Sequence, residues 1–145
     1  MYRHILIPTD GSELAEDGVT NGLALAKSLG AKVSVIVVEE PFDELSIEVP
    51  GQTEGSAKYA EQIKKHATNV LNRAANAGKQ AGVSCDTIQV ENEQPYQAII
   101  AAAKDRGCDL IVMSSHGRSG LSAVLLGSVT NKVLTHTKSP VLVCH

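Results

Sequence analysis

Two short stretches of this 145-residue chain carry residue types that could hold an anion. The first is Thr9-Asp10-Gly11-Ser12. The second is Ser114-Ser115-His116-Gly117-Arg118-Ser119-Gly120, which runs on to Leu125-Leu126-Gly127-Ser128. Gly117, Gly120 and Gly127 let backbone amides approach a ligand with no side chain between. Ser128 fits the N-cap of a following helix, whose free N–H groups and positive end attract negative charge. Small residues, hydroxyls and a helix start together form an anion cradle, and a phosphate is its natural occupant. The plainer alternative is that these glycines only shape a tight connection.

Asp10 complements such a cradle. A carboxylate repels a bare phosphate, but it accepts hydrogen bonds from ribose hydroxyls or holds a metal that bridges to phosphates. It could equally be an acid at a helix start. His116 stands beside the cradle; orienting the loop is its expected role, with general base as the alternative. No G-x-x-x-x-G-K-[ST] occurs, and no G-x-G-x-x-G follows the first strand. Gly117-Arg118-Ser119-Gly120 is one residue short of a nucleophile elbow. No His or carboxylate pair has metal-enzyme spacing, so no catalytic residue is assigned. Phosphoryl transfer needs positioned charge and an oriented nucleophile, and Arg118 is the one cation in these stretches. Binding is therefore favoured over a slow ATPase or a phosphotransferase.

The surrounding pattern says what must position these residues. His4-Ile5-Leu6-Ile7-Pro8 is short and nearly all apolar, as a strand buried on both faces must be. Ser12 caps a helix with Glu13 and Glu16 in its first turn; Ala15, Val19, Leu23, Ala26 and Leu29 recur at helical spacing, and Gly30 stops it. Gly18 and Gly22 inside it predict close packing of helix on sheet. Further strands are expected at residues 33–38, 84–90, 110–114 and 141–144. Ser56 to Gly78 reads as a long amphipathic helix with Tyr59, Ile63, His66, Ala67, Val70, Leu71 and Ala74 along one side. His66 is read as part of that face rather than as a ligand. Tyr96, Ile99, Ile100 and Ala103 mark a third helix, and residues 128–136 a fourth. Residues 39–55, with two prolines and several carboxylates, read as a long loop. Strict β-α alternation predicts a doubly wound parallel sheet in one α/β domain spanning residues 1–145. Ligands of such sheets bind at the carboxyl ends of strands where the strand order reverses.

Composition narrows the class. With 43% hydrophobic and 20% charged residues, the chain suits a packed domain and not a disordered one. A net charge of −3 with scattered Lys and Arg argues against a nucleic-acid partner. No run approaches the ~18 apolar residues of a membrane helix, and Met1 to Ile7 does not read as a signal peptide. Cys85, Cys108 and Cys144 are odd in number and far apart. They read as reduced thiols of a cytoplasmic protein.

Taken together, the chain resembles a universal stress protein over essentially its whole length. Ile5-Leu6-Ile7-Pro8-Thr9-Asp10-Gly11-Ser12 is similar to that family's first strand and turn. Gly117, nine residues and Gly127-Ser128 resemble its motif G-x2-G-x9-G-[ST], with Val129 and Ser139-Pro140-Val141-Leu142-Val143 following. The motif's first glycine falls on Ser114. The resemblance implies the ATP-binding branch, with ATP held alone or with Mg²⁺ at Asp10. It puts adenine near Pro8, Thr9 and Val38, ribose near Asp10, and phosphates near Ser114, Gly117, Gly127, Ser128 and Val129. Met113 and Arg118 complete the candidate binding set. It further implies strand order 3-2-1-4-5, a homodimer joined through the fifth strands, and a regulatory role with unnamed protein partners. A family member without nucleotide, acting through protein contacts, is the other reading.

Overall fold

The computed structural model describes residues 1–41, 53–116 and 126–145. Its elements are β1 (His4–Pro8), α1 (Glu13–Leu29), β2 (Lys32–Glu39), α2 (Thr53–Ala81), β3 (Cys85–Glu91), α3 (Pro95–Asp105), β4 (Leu110–Ser114), α4 (Ser128–His136) and β5 (Val141–Cys144). The strands form one sheet in the order β3-β2-β1-β4-β5, and every pairing is parallel. This is the expected doubly wound α/β sheet. β2 is longer than expected and β3 lies one residue later, because backbone pairing runs on to Glu39 opposite Glu91. α2 starts at Thr53, inside the span read as loop; residues 42–52 lie outside the described residues.

Strict alternation along the strands splits the core in two. Ile5, Ile7, Val33, Val35, Val37 and Val112 face α1 and α2. Leu6, Ile36, Ile88, Ile111 and Met113 face α3 and α4. β1 and β4 carry apolar residues on both faces, Ile5 to Ile7 and Leu110 to Met113, because helices cover both of those faces. α1 is fixed by a cap at each end. Ser12 Oγ accepts from the Ala15 N–H, and Gly30 closes the helix in the left-handed region. The two glycines within α1 bring it close to the sheet. A Cβ on Gly22 would meet Ile7 Cδ1 at 2.4 Å, and one on Gly18 would lie 3.3 Å from the Ser114 backbone nitrogen.

At the opposite, amino end of the sheet, His4 is buried. Its Nδ1 lies 3.1 Å from the Arg106 carbonyl and its Nε2 2.8 Å from Ser34 Oγ. A carbonyl only accepts, so the neutral ring carries its proton on Nδ1 and the Ser34 hydroxyl donates to Nε2. Burial, with the Lys32 ammonium adding to it, pushes His4 below its ordinary 6.5; the Arg106 carbonyl and the Asp86 and Asp109 carboxylates oppose the shift. The unfolded chain therefore binds this proton first as pH falls. The stability contribution is complete above pH 6.5 and is lost as pH drops below that value toward the lowered folded one. Urea unfolding of wild type and His4→Gln should show a gap that narrows between about pH 7.5 and about pH 5. A gap constant with pH would remove His4 from the acid response.

Candidate functional site

A cleft of about 610 Å³ opens at the carboxyl ends of the strands, where the order reverses between β1 and β4. That volume lies within the ~300–1,000 Å³ of ordinary small-molecule sites. Pro8, Thr9 and Asp10 reach it from β1, and Val38 from β2. Met113 and Ser114 reach it from β4, and Gly127, Ser128 and Val129 from the start of α4. The fold thus gathers nine candidate residues from four separate segments. Gly117 and Arg118 lie outside the described residues.

Each segment is held by short-range bonds. The Thr9 N–H donates to the Ile36 carbonyl (2.9 Å), extending the β1–β2 pairing to the cleft's floor. The Ser12 N–H donates to Asp10 Oδ1 (3.0 Å), and the Gly11 N–H to Thr9 Oγ1 (3.2 Å). Asp10 is thus fixed in an Asx turn at the head of α1. Across the cleft, the Ser114 hydroxyl donates to the His116 carbonyl (2.8 Å). The Thr130 hydroxyl donates to the Ser114 carbonyl (2.9 Å), pinning the first turn of α4 to the end of β4. Gly18 explains how a serine fits at position 114: α1 has no side chain there, so the strand end comes close to the helix backbone.

The start of α4 differs from expectation. Gly127, not Ser128, is the N-cap, with φ −59° and ψ 152°. The Asn131 N–H donates to the Gly127 carbonyl (2.9 Å), so the helical ladder begins one residue early. The Gly127 N–H donates to the Ser115 carbonyl (2.6 Å) and is therefore engaged within the protein. The N–H groups of Ser128, Val129 and Thr130 have no partner inside the helix, and among the described residues no side chain caps them. These three amides are the N–H groups that this end of the helix leaves for an anion.

Several cleft residues were not anticipated. Tyr59, Ile63 and His66 line it from α2, and His66 Nε2 sits 3.4 Å from the Asp10 carbonyl. Helix length explains their position. The 29 residues of α2 span about 43 Å at 1.5 Å per residue. The 8 residues of β2 span about 26 Å at 3.3 Å each. The apolar stripe read from the sequence therefore overshoots the strands, and its amino-terminal part forms a wall of the cleft. Glu39 also lines the cleft, buried, accepting from the Gln89 amide. Its place on the last residue of a strand gave no signal beyond that position.

The donor set fits a nucleotide. Apolar Pro8, Val38 and Met113 suit a base; Asp10 suits a ribose or a metal; uncapped amides suit phosphates. No described residue lining the cleft is Lys or Arg. Among these residues, positive potential for a phosphate comes from the helix start, and Asp10 could add a Mg²⁺ held jointly with phosphate oxygens. Among the described residues no three His, Cys, Asp or Glu side chains form a metal cluster. No described helix is long and apolar enough to cross a membrane.

Comparison with known proteins gives one consistent result. The sequence profile described as "Universal stress protein family" matches residues 1–145. Universal stress protein MJ0577 of Methanocaldococcus jannaschii is 33% identical, over 99% of this chain and 94% of its own. Universal stress protein YxiE of Bacillus subtilis is 30% identical over 99% of both chains. The solved structure of MJ0577 superposes with a TM-score of 0.79 at 31% identity, covering 99% of this chain and 95% of that one. A universal stress protein solved in complex with cAMP matches with a TM-score of 0.69 at 26% identity, covering 99% and 97%.

Proposed function

The chain belongs to the universal stress protein family, and from that premise we propose that it is an ATP-binding regulatory module of the stress response. The nucleotide lies across the carboxyl ends of β1 and β4. Pro8, Thr9, Val38 and Met113 receive adenine, Asp10 the ribose hydroxyls or a Mg²⁺ ion, and Ser114, Ser128 and Val129 the phosphates. The observation that carries this reading is the convergence of those residues on one cleft. The cAMP-bound relative supports an adenine ligand. When bound, Mg²⁺ would offset phosphate charge. This chain's own part is to orient the ribose through a fixed Asp10 and to meet the phosphates with backbone amides.

The module also forms a homodimer through β5, in the cytoplasm, and signals to protein partners through its nucleotide state. β5 is an edge strand without charge or bulge, and Leu142 on it is 44% exposed. Native mass spectrometry of freshly purified protein tests both parts. A two-chain mass with retained nucleotide is expected, and titration calorimetry should show ATP binding once the protein is stripped. Nucleotide-free protein that gives no heat with millimolar ATP and Mg²⁺ would overturn the ligand. A single-chain mass at all concentrations would overturn the dimer.

A further inference from the structure

His116 is 7% exposed and lines the cleft together with Ser114 and Gly127. Its Nδ1 lies 3.0 Å from Ser115 Oγ, while its Nε2 is buried and has no hydrogen-bond partner among the described residues. A buried polar atom without a partner is destabilising, and native proteins keep few of them. The remaining buried hydroxyls nearby are occupied: Ser114 Oγ by the His116 carbonyl and Thr130 Oγ1 by the Ser114 carbonyl. Of the Ser114, Ser115, His116 and Thr130 side chains, the imidazole Nε2 is the one polar atom without a partner among the described residues.

We infer that His116 is a phosphate-binding residue, its Nε2–H donating to a phosphate oxygen of the bound nucleotide, which rests on the nucleotide reading above. The assignment requires the tautomer with its proton on Nε2, in which the Ser115 hydroxyl, 3.0 Å from Nδ1, donates to that atom. An anion is the partner that best compensates a buried donor, because a hydrogen bond to a charged group is stronger than a neutral one. The amides of Ser128, Val129 and Thr130 bring the phosphate chain to the same end of the cleft. His116 thereby acts as a ligand contact rather than as the loop-orienting residue expected from sequence.

The test is titration calorimetry with ATP and with adenosine on wild type, His116→Ala and His116→Gln, with thermal melts of all three. A glutamine amide can place an N–H near the position of Nε2. His116→Ala should lower ATP affinity by about tenfold or more, the equivalent of one charge-assisted hydrogen bond. His116→Gln should recover most of that loss, and adenosine should bind all three proteins alike. An ATP affinity unchanged in His116→Ala would overturn the assignment while leaving nucleotide binding in place. An equal loss for ATP and adenosine, unrelieved by glutamine, would show a structural role and also overturn it. Wild-type protein that binds neither ligand would bring down this inference together with the proposed function.

Discussion

Gly127→Asp is expected to leave the free protein as stable as wild type or slightly more so, and to abolish ATP binding. The two effects have one cause. Gly127 is the N-cap of α4, with extended backbone angles that any residue adopts, and no side chain among the described residues caps the helix. An aspartate there reaches the N–H groups of the second and third helical residues, Val129 and Thr130. It also places a negative charge at the positive end of the helix, worth about 0.3–1 kcal/mol. The carboxylate then occupies the position proposed for a phosphate, and it repels one. Two hydrogen bonds to a charged group, at about 1.5–3 kcal/mol each, correspond to roughly a hundredfold or greater loss of affinity. Calorimetry should find no measurable ATP binding, while the melting temperature holds or rises. Gly127→Ser should cap without charge and weaken ATP less. If Gly127→Asp binds ATP as wild type does, the phosphates do not lie at the start of α4.

Gly11→Ala is expected to be the most destabilising single-methyl change in the turn after β1. Gly11 has φ +83°, and a Cβ there would sit 2.6 Å from Val70 Cγ2 and 3.2 Å from His66 Nε2. Val70, on α2, is itself buried in the core. Left-handed geometry costs a non-glycine residue roughly 1–2 kcal/mol, and overpacking adds about 1–3 kcal/mol. The sum is roughly 2–5 kcal/mol, or about 5–15 °C in melting temperature for a domain of this size. Gly30→Ala supplies the control. Gly30 has φ +67° and nothing within 4 Å of its added Cβ. It should show the backbone strain alone, about 1–2 kcal/mol. The difference between the two variants isolates the packing of α2 on the turn that carries Asp10. Equal melting temperatures would mean that Val70 and His66 yield without cost.

The two variants probe parts of the molecule that differ in how far they could be read from residue types. Gly11 and Gly30 announce themselves locally: one follows a strand and precedes a serine cap, the other ends a helical repeat. Gly127 announces a helix start but not which of its groups is free. That depends on Ser115, whose carbonyl takes the Gly127 N–H. Ser115 is a dozen residues away, and no periodicity links the two. The same holds for Glu39 and Gln89, 50 residues apart and bonded across β2 and β3.

What the amino-acid sequence by itself determined is whatever depends on neighbours within a few residues. β1 and β4 could be read as doubly buried strands because their side chains are apolar on both faces. α1 could be bounded at Ser12 and Gly30 because capping is a property of the backbone groups of one turn. The alternation of elements implied a parallel doubly wound sheet, and that sheet implied a site at its carboxyl ends. The tertiary structure alone decided which residues line the cleft there. It set His66 against the Asp10 carbonyl and Tyr59 into the same cleft because α2 is longer than the strand it covers. It used the Gly127 amide within the protein and left the next three toward the cleft. It left His116 Nε2 buried without a partner among the described residues. The physical reason is that a hydrogen bond or a buried contact forms between any groups the fold brings within reach. Sequence periodicity reports which face of an element is apolar, not how far that element runs beyond its neighbour or what it meets there.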